Sequence, residues 1–159
     1  MQSITHTLAG PFWRVLAAAF MLASAAPLAA RAASPEIYTG LVKGVAVGGY
    51  DPVAYFIEHK PVMGKGDILY SWKGATWRFA SEKNRDAFAA NPEKYAPQYG
   101  GYCAYAVAKG GTAKGDPQAW TIVGGKLYLN LSPAVLKLWE KDITGYIKAA
   151  DKKWPGVLK

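Results

Sequence analysis

The chain has 159 residues and a net charge of +8, from 19 Lys and Arg against 11 Asp and Glu. This length suits one domain with a single core. The lysines are scattered singly along most of the chain, so the charge indicates solubility rather than nucleic-acid binding, and nucleic acid is excluded as a partner. The single cysteine excludes an internal disulfide, and two histidines are too few for a histidine-rich metal enzyme.

Residues 1–32 predict a secretory signal peptide. Arg14 precedes an uncharged run rich in Ala and Leu from Val15 to Ala30, and Ala30-Arg31-Ala32 fits a small-x-small cleavage site. Beyond this point no apolar run approaches the about 20 residues that a membrane-spanning helix needs. We therefore expect a periplasmic or secreted mature domain at 33–159, without a transmembrane segment after cleavage. The alternative is an uncleaved anchor helix.

The first half of this domain predicts one hairpin followed by helix. The alternation of Ile68, Tyr70 and Trp72 is typical of a strand with one buried face. Ser81 has the side chain of a helix N-cap. The predicted elements are an extended segment at 45–56 turned at Gly48-Gly49, a hairpin at 67–79, a helix at 81–91 and a short turn at Asn91-Pro92.

The second half predicts a strand, a hairpin and a carboxyl-terminal helical region. Tyr102 to Ala108 alternates like a strand, and Gly124-Gly125 favours a tight turn within 119–130. Ser132-Pro133 opens a region with apolar residues every three to four positions, which Gly145 divides. The element order predicts an α+β fold, a small single domain of antiparallel β-hairpins packed against helices, and no internal repeat.

Four stretches resemble the secreted, bacterial branch of the YHS-domain proteins: GGYDPVAYF, WRFASEKNRDAFAANPEKYAPQYGGYCAYAV, GDPQAW and KLYLN. The resemblance covers Gly48 to about Trp154 and implies a YHS-like fold and a metal-binding module. In the family pattern, one cysteine ligand follows Asp-Pro-Val and two more are the cysteines of Phe-Cys-Ser-x-x-Cys. This chain has Ala54, Ala80 and Asn84 at those positions, so the family's ligands do not carry over.

Cys103 is the residue on which the functional hypotheses depend. Together with His59 and Met63 it forms a candidate copper site, because Cu(I) accepts two or three soft ligands. A small-ligand pocket is the second hypothesis, and a buried core cysteine is the third. The candidate pocket residues are Tyr50, Asp51, Tyr99, Tyr102, Cys103 and Tyr105.

The sequence shows no nucleophile elbow, phosphate loop, two-histidine helix or dinucleotide fingerprint, so we predict that the protein is not an enzyme. Two functions remain open. The first is an exported, non-enzymatic binding protein of YHS type that takes a metal ion, copper first, or a small ligand near Cys103. The alternative is a structural or protein-interaction module that has lost metal binding.

Overall fold

A computed structural model describes residues 33–159, and the predicted signal peptide at 1–32 lies outside this range. Within it, no helix is long and apolar enough to cross a membrane. Helices alternate with two antiparallel hairpins, which confirms the predicted α+β fold. The helices and strands are α1 Ala54–Ile57, β1 Leu69–Trp72, β2 Ala75–Arg78, α2 Glu82–Ala90, α3 Pro92–Tyr95, α4 Ala104–Lys109, β3 Asp116–Val123, β4 Lys126–Asn130, α5 Pro133–Trp139 and α6 Ile143–Lys153.

Both predicted hairpins are confirmed. In the first, β1 pairs with β2 so that Leu69 lies opposite Arg78 and Tyr70 opposite Trp77. In the second, β3 pairs with β4 around Gly124-Gly125, whose φ angles of 58° and 75° suit glycine.

The predicted helix starts are confirmed by their capping bonds. Ser81 Oγ accepts from the backbone N–H of Asn84 at 3.2 Å, and Ser132 Oγ accepts from that of Val135 at 3.3 Å. The carboxyl-terminal helical region divides at the 3-10 turn Glu140–Asp142, before Gly145 rather than at it. Asp142 caps α6, since its Oδ1 accepts from the backbone N–H of Gly145 at 2.9 Å.

Two segments differ from prediction. Tyr102 to Ala108 is not a strand, because it forms α4 from Ala104 onward. Its buried residues Ala104, Val107 and Ala108 have the three- and four-residue spacing of one helix face, and tertiary packing on that face overrides the alternation. The segment 45–56 is not extended either: a 3-10 turn at Ala46–Gly49 is followed by α1.

The expected absence of a repeat is wrong at the level of local structure. We call residues 45–90 the first repeat and residues 97–139 the second repeat. Each begins at a Gly-Gly-Tyr string. The first glycine of the string and the residue before it both have left-handed backbone. Val47 and Gly48 have φ of 51° and 62°, and Tyr99 and Gly100 have φ of 55° and 61°. Each then continues through a short helix, a hairpin and a serine-capped helix.

Tertiary contacts repeat as well. The backbone N–H of Asp51 donates to Val62 O at 2.8 Å, and that of Cys103 donates to Ala113 O at 3.0 Å. Isolated bridges follow in both repeats, between Tyr50 and Met63 and between Tyr102 and Lys114. Asp51 and Cys103 therefore occupy equivalent positions.

The aromatic packing between hairpin and capped helix is also repeated. Trp77 of β2 packs on Phe88 of α2 with ring centroids 4.8 Å apart at 35°. Tyr128 of β4 packs on Trp139 of α5 at 5.4 Å and 37°. Both pairs join the middle of a second strand to the far end of the helix that follows it.

The core consists of two clusters that meet at β4. Leu127 and Leu129 face the first repeat and join the cluster that holds Val53 and Trp77. Tyr128 points the opposite way, into the cluster built on α4, α5 and α6. Both faces of β4 are therefore buried, as its continuous apolar run suggests.

Candidate functional site

The carboxylate of Asp51 is the most densely bonded polar group among the described residues, and the side chain is fully buried. Oδ1 accepts from the backbone N–H groups of Val53 at 2.8 Å and Ala54 at 3.3 Å. Oδ2 accepts from the backbone N–H of Ala80 at 2.8 Å and from Asn84 Nδ2 at 2.7 Å. One carboxylate thus links the start of α1, the end of β2 and the first turn of α2.

The same carboxylate gathers the three positions at which the YHS resemblance implies cysteine ligands. Ala54, Ala80 and Asn84 all donate to Asp51, so the three positions converge in space as a shared metal site requires. The side chains present there do not fit a thiolate-bound metal. Two are methyl groups, Asn84 presents an N–H₂ donor, and both carboxylate oxygens already accept hydrogen bonds.

Cys103 occupies the Asp51 position of the second repeat. Its side chain is 1% exposed, and Sγ lies 3.7 Å from Asn130 Oδ1. Burial raises the pKa of the thiol, while the nearby backbone N–H groups of Ala106, Leu131 and Tyr105 act in the opposite direction. The thiol is therefore a buried donor to Asn130 Oδ1, held largely in its neutral form.

The residues near Cys103 correspond by position to those around Asp51. Tyr105 and Ala106 follow Cys103 by two and three residues, as Val53 and Ala54 follow Asp51. Leu131 immediately precedes the Ser132 cap, as Ala80 precedes Ser81. Cys103 therefore occupies the position of a buried structural residue.

The members of the predicted copper trio have different surroundings. Met63 is 53% exposed and pairs with Tyr50, whereas Cys103 is buried against Asn130. His59 is exposed and lies in the loop after α1. Residues 33–159 contain no group of three or more His, Cys, Asp and Glu placed to hold a metal ion. Copper binding by Cys103, His59 and Met63 stays a prediction.

The predicted pocket residues fall into two places. Tyr50 and Asp51 belong to the first repeat, where Tyr50 Oη accepts from Gln118 Nε2 at 3.1 Å. Tyr99, Tyr102 and Cys103 belong to the second repeat.

The aromatic rings of that second group contact residues near the carboxyl terminus. The rings of Tyr99 and Tyr102 both approach Trp154, at 5.9 and 6.0 Å between centroids. Tyr105 instead packs on Tyr146 at 5.1 Å. Two depressions adjoin these tyrosines: a cleft of about 130 Å³ at Tyr99, and a groove of about 390 Å³ at Tyr102. Only the second has the size of typical small-ligand sites, about 300–1,000 Å³.

Asn130 is a buried polar residue that the sequence analysis missed. It is fully buried, its Oδ1 accepts from the backbone N–H of Tyr105 at 3.2 Å, and its Nδ2 has no partner among the described residues. The available signal was an asparagine ending the otherwise apolar strand KLYLN. Its amide fixes the start of α4 against the end of β4.

Comparison with known proteins gives one match. The family model of the YHS domain matches residues 53–99, which begin two residues after Asp51 and end inside the Gly-Gly-Tyr turn of the second repeat. No curated protein and no solved structure matches the chain. The match includes Ala54, Ala80 and Asn84, the three positions around the Asp51 carboxylate.

Proposed function

Since residues 53–99 match the YHS domain, we propose that the chain is an exported, non-enzymatic protein-interaction module that keeps the YHS scaffold without a thiolate metal site. The observation that carries this proposal is the set of four hydrogen bonds to the buried Asp51 carboxylate. These bonds hold together the three elements that cysteine ligands and a metal would otherwise join.

The domain type by itself suggests metal binding. Soft metals such as Cu(I), and zinc in structural sites, are held mainly by thiolate and imidazole ligands. At the family's ligand positions this chain offers none of these groups. The buried carboxylate already has four N–H partners, so a metal would have to displace bonds that stabilise the fold.

Export and the absence of catalysis are parts of the same proposal. Export is supported by the apolar, uncharged run before Ala30-Arg31-Ala32. A non-enzymatic role is supported by the raised pKa of the buried Cys103 thiol, because a nucleophilic cysteine needs a lowered pKa and access to substrate.

The test restores the missing thiols. Purified protein beginning at residue 33 is titrated anaerobically with Zn²⁺ and Cu(I) against a chromophoric chelator, alongside the triple variant Ala54→Cys, Ala80→Cys and Asn84→Cys. We expect no competition by the wild type and binding of one equivalent by the triple variant, because the three positions converge. Circular dichroism checks that each protein is folded. Tight binding of one metal equivalent by the wild-type protein, whether or not the triple variant also binds, would overturn the proposal.

Binding near Cys103 is the second candidate function, with either copper or a small ligand. It is favoured by the groove beside Tyr102 and by the N–H groups that converge on Sγ. In the same titration, Cu(I) binding that is lost in Cys103→Ala but kept in Cys103→Ser would show that the residue acts through its hydrogen bonding and not as a metal ligand. Loss in both variants would assign a metal-binding thiol.

A further inference from the structure

The two repeats differ in what covers one face of the hairpin. In the second repeat, the face that carries Leu127 and Leu129 is buried against the core of the first repeat. The strand positions are equivalent when counted back from the serine caps: Leu129 and Arg78 each stand three residues before their serine. On that basis Thr76 and Arg78 are the counterparts of Leu127 and Leu129, and both are only half-buried.

The neighbours of Thr76 and Arg78 on β1 are exposed. Leu69 lies opposite Arg78 and Ser71 lies opposite Thr76, and both are exposed while the alternate residues of the strand are half-buried. Leu69 keeps 44% of its surface in solvent. The first repeat therefore leaves uncovered the hairpin face that the second repeat buries.

Arg78 has no acceptor within residues 33–159. Its guanidinium forms no ion pair in this range, although four other pairs are present, and its Nε is buried without a partner. Nη1 and Nη2 form no ion pair with residues 33–159 either, so these two atoms can donate to a carboxylate of another molecule.

Two glycines make room for the Arg78 side chain. A Cβ at Gly49 would lie 3.4 Å from Arg78 Cδ, and a Cβ at Gly64 would lie 2.6 Å from Arg78 Cβ. The second distance is too short for any other residue, so the arginine stem lies against bare backbone. This packing holds the guanidinium in place rather than leaving it free in solvent.

Two exposed apolar side chains lie against the Gly48-Gly49 turn on which the arginine packs. Met63 is 53% exposed, and its Sδ lies 3.6 Å from the Gly49 Cβ position that Arg78 also contacts. Leu41 is 39% exposed and its Cδ1 lies 3.1 Å from the Gly48 Cβ position. Exposed apolar groups around one unpaired cation are typical of a protein interface.

We propose that this surface, the Arg78 face, binds an acidic segment of a partner protein. It is made up of Leu41, Met63, Leu69, Thr76 and Arg78. A carboxylate of the partner binds end-on to Nη1 and Nη2 of Arg78, and flanking apolar side chains cover Met63 and Leu69. This surface contains one cation, Arg78, with the exposed Lys65 beside it, whereas nucleic acid or an anionic membrane requires several cations, so a single carboxylate is the better fit.

This proposal rests on the proposed interaction function and names the surface that serves it. The probe is a displayed library of random octapeptides, selected in parallel on the wild type, on Arg78→Gln and on Arg85→Gln. Arg85 is a matched control, because it lies on α2 and already pairs with Glu82 and Asp86. We expect the wild type and Arg85→Gln to enrich the same motif, an Asp or Glu between apolar residues, and Arg78→Gln to lose it.

The leading peptide is then synthesised with its acid and with the corresponding amide. Removal of either charge, by Arg78→Gln or by the amide peptide, should weaken binding at least about tenfold. Removal of both should weaken it little further, because the charge-assisted bonds are already lost in either single change. The proposal is overturned if the wild type enriches no acidic motif. It is also overturned if Arg78→Gln, with the same urea midpoint as the wild type, binds the leading peptide equally well. If acetate displaces the leading peptide as well as the free peptide does, Arg78 binds a small carboxylate ligand and the proposal of a partner protein is overturned. Metal binding by the wild type, measured separately, would overturn the proposed function and leave this result intact.

Discussion

Replacement of Asp51 by alanine tests the role of the buried carboxylate most directly. The change removes the acceptor of four hydrogen bonds, and three of their donors belong to the buried residues Val53, Ala54 and Asn84. An orphaned buried donor costs about 1–3 kcal/mol, and losses that share one site are not additive. We therefore expect Asp51→Ala to lower the free energy of unfolding by about 3–5 kcal/mol, a large part of the about 5–15 kcal/mol typical of a domain.

Asp142 supplies the matched control, since it also caps a helix with its carboxylate but is exposed. Asp142→Ala should cost only about 1 kcal/mol, the usual value of an N-cap. Both free energies are obtained from urea denaturation followed by tryptophan fluorescence and extrapolated linearly to water. If Asp51→Ala costs no more than Asp142→Ala, the carboxylate does not hold the three ligand positions together, and the reasoning fails.

Three further predictions concern the buried thiol and phenols. Iodoacetamide should modify Cys103 far more slowly in the folded protein than in urea at the same pH, because the thiol is buried and its pKa is raised; equal rates would contradict its burial. Cys103→Ala should lower the urea midpoint more than Cys103→Ser, because only serine keeps a donor for the buried Asn130 Oδ1; the reverse order would make apolar packing the dominant effect. Burial raises the pKa of Tyr55 in the folded state, so stability should be fully present below about pH 10 and fall above it, and a Tyr55→Phe variant with an equally steep fall would refute this cause.

The secondary structure could be predicted wherever a single residue type determines the local backbone. Gly124-Gly125 fixed the second hairpin, and Ser81 and Ser132 marked two helix starts. The helix α4 could not be predicted in this way. Its alternating tyrosines and alanines fit both periods, and the choice depends on burial of Val107 against α6, which is distant in sequence.

The repeat escaped the sequence analysis because equivalent positions have unlike chemistry. Asp51 corresponds to Cys103 and Arg78 to Leu129, so only the short strings GGYD and GGYC remain alike. Left-handed backbone at Val47 and Tyr99, which a propensity argument would not assign to a β-branched or aromatic residue, is visible only in three dimensions.

The candidate site was predictable in part. The YHS resemblance singled out Ala54, Ala80 and Asn84 as the positions where other residues replace the family's cysteines. It did not predict that Asp51 would accept hydrogen bonds from all three. Ala54 and Ala80 donate through their backbone N–H groups, which every residue type other than proline has, so the side chains give no sign of these bonds. The unpaired state of Arg78 was equally hidden, since pairing depends on neighbours brought together by the fold.

The position of β4 between the two core clusters couples the unfolding of one repeat to that of the other. A polypeptide limited to residues 53–99, the part matched by the family model, would lack Leu127 and Leu129 and leave Trp77 and Val53 with an open side. We therefore expect that this segment does not fold by itself. Hydrogen exchange of the amides in β2 and β4 should report one shared opening event, with neither repeat melting ahead of the other.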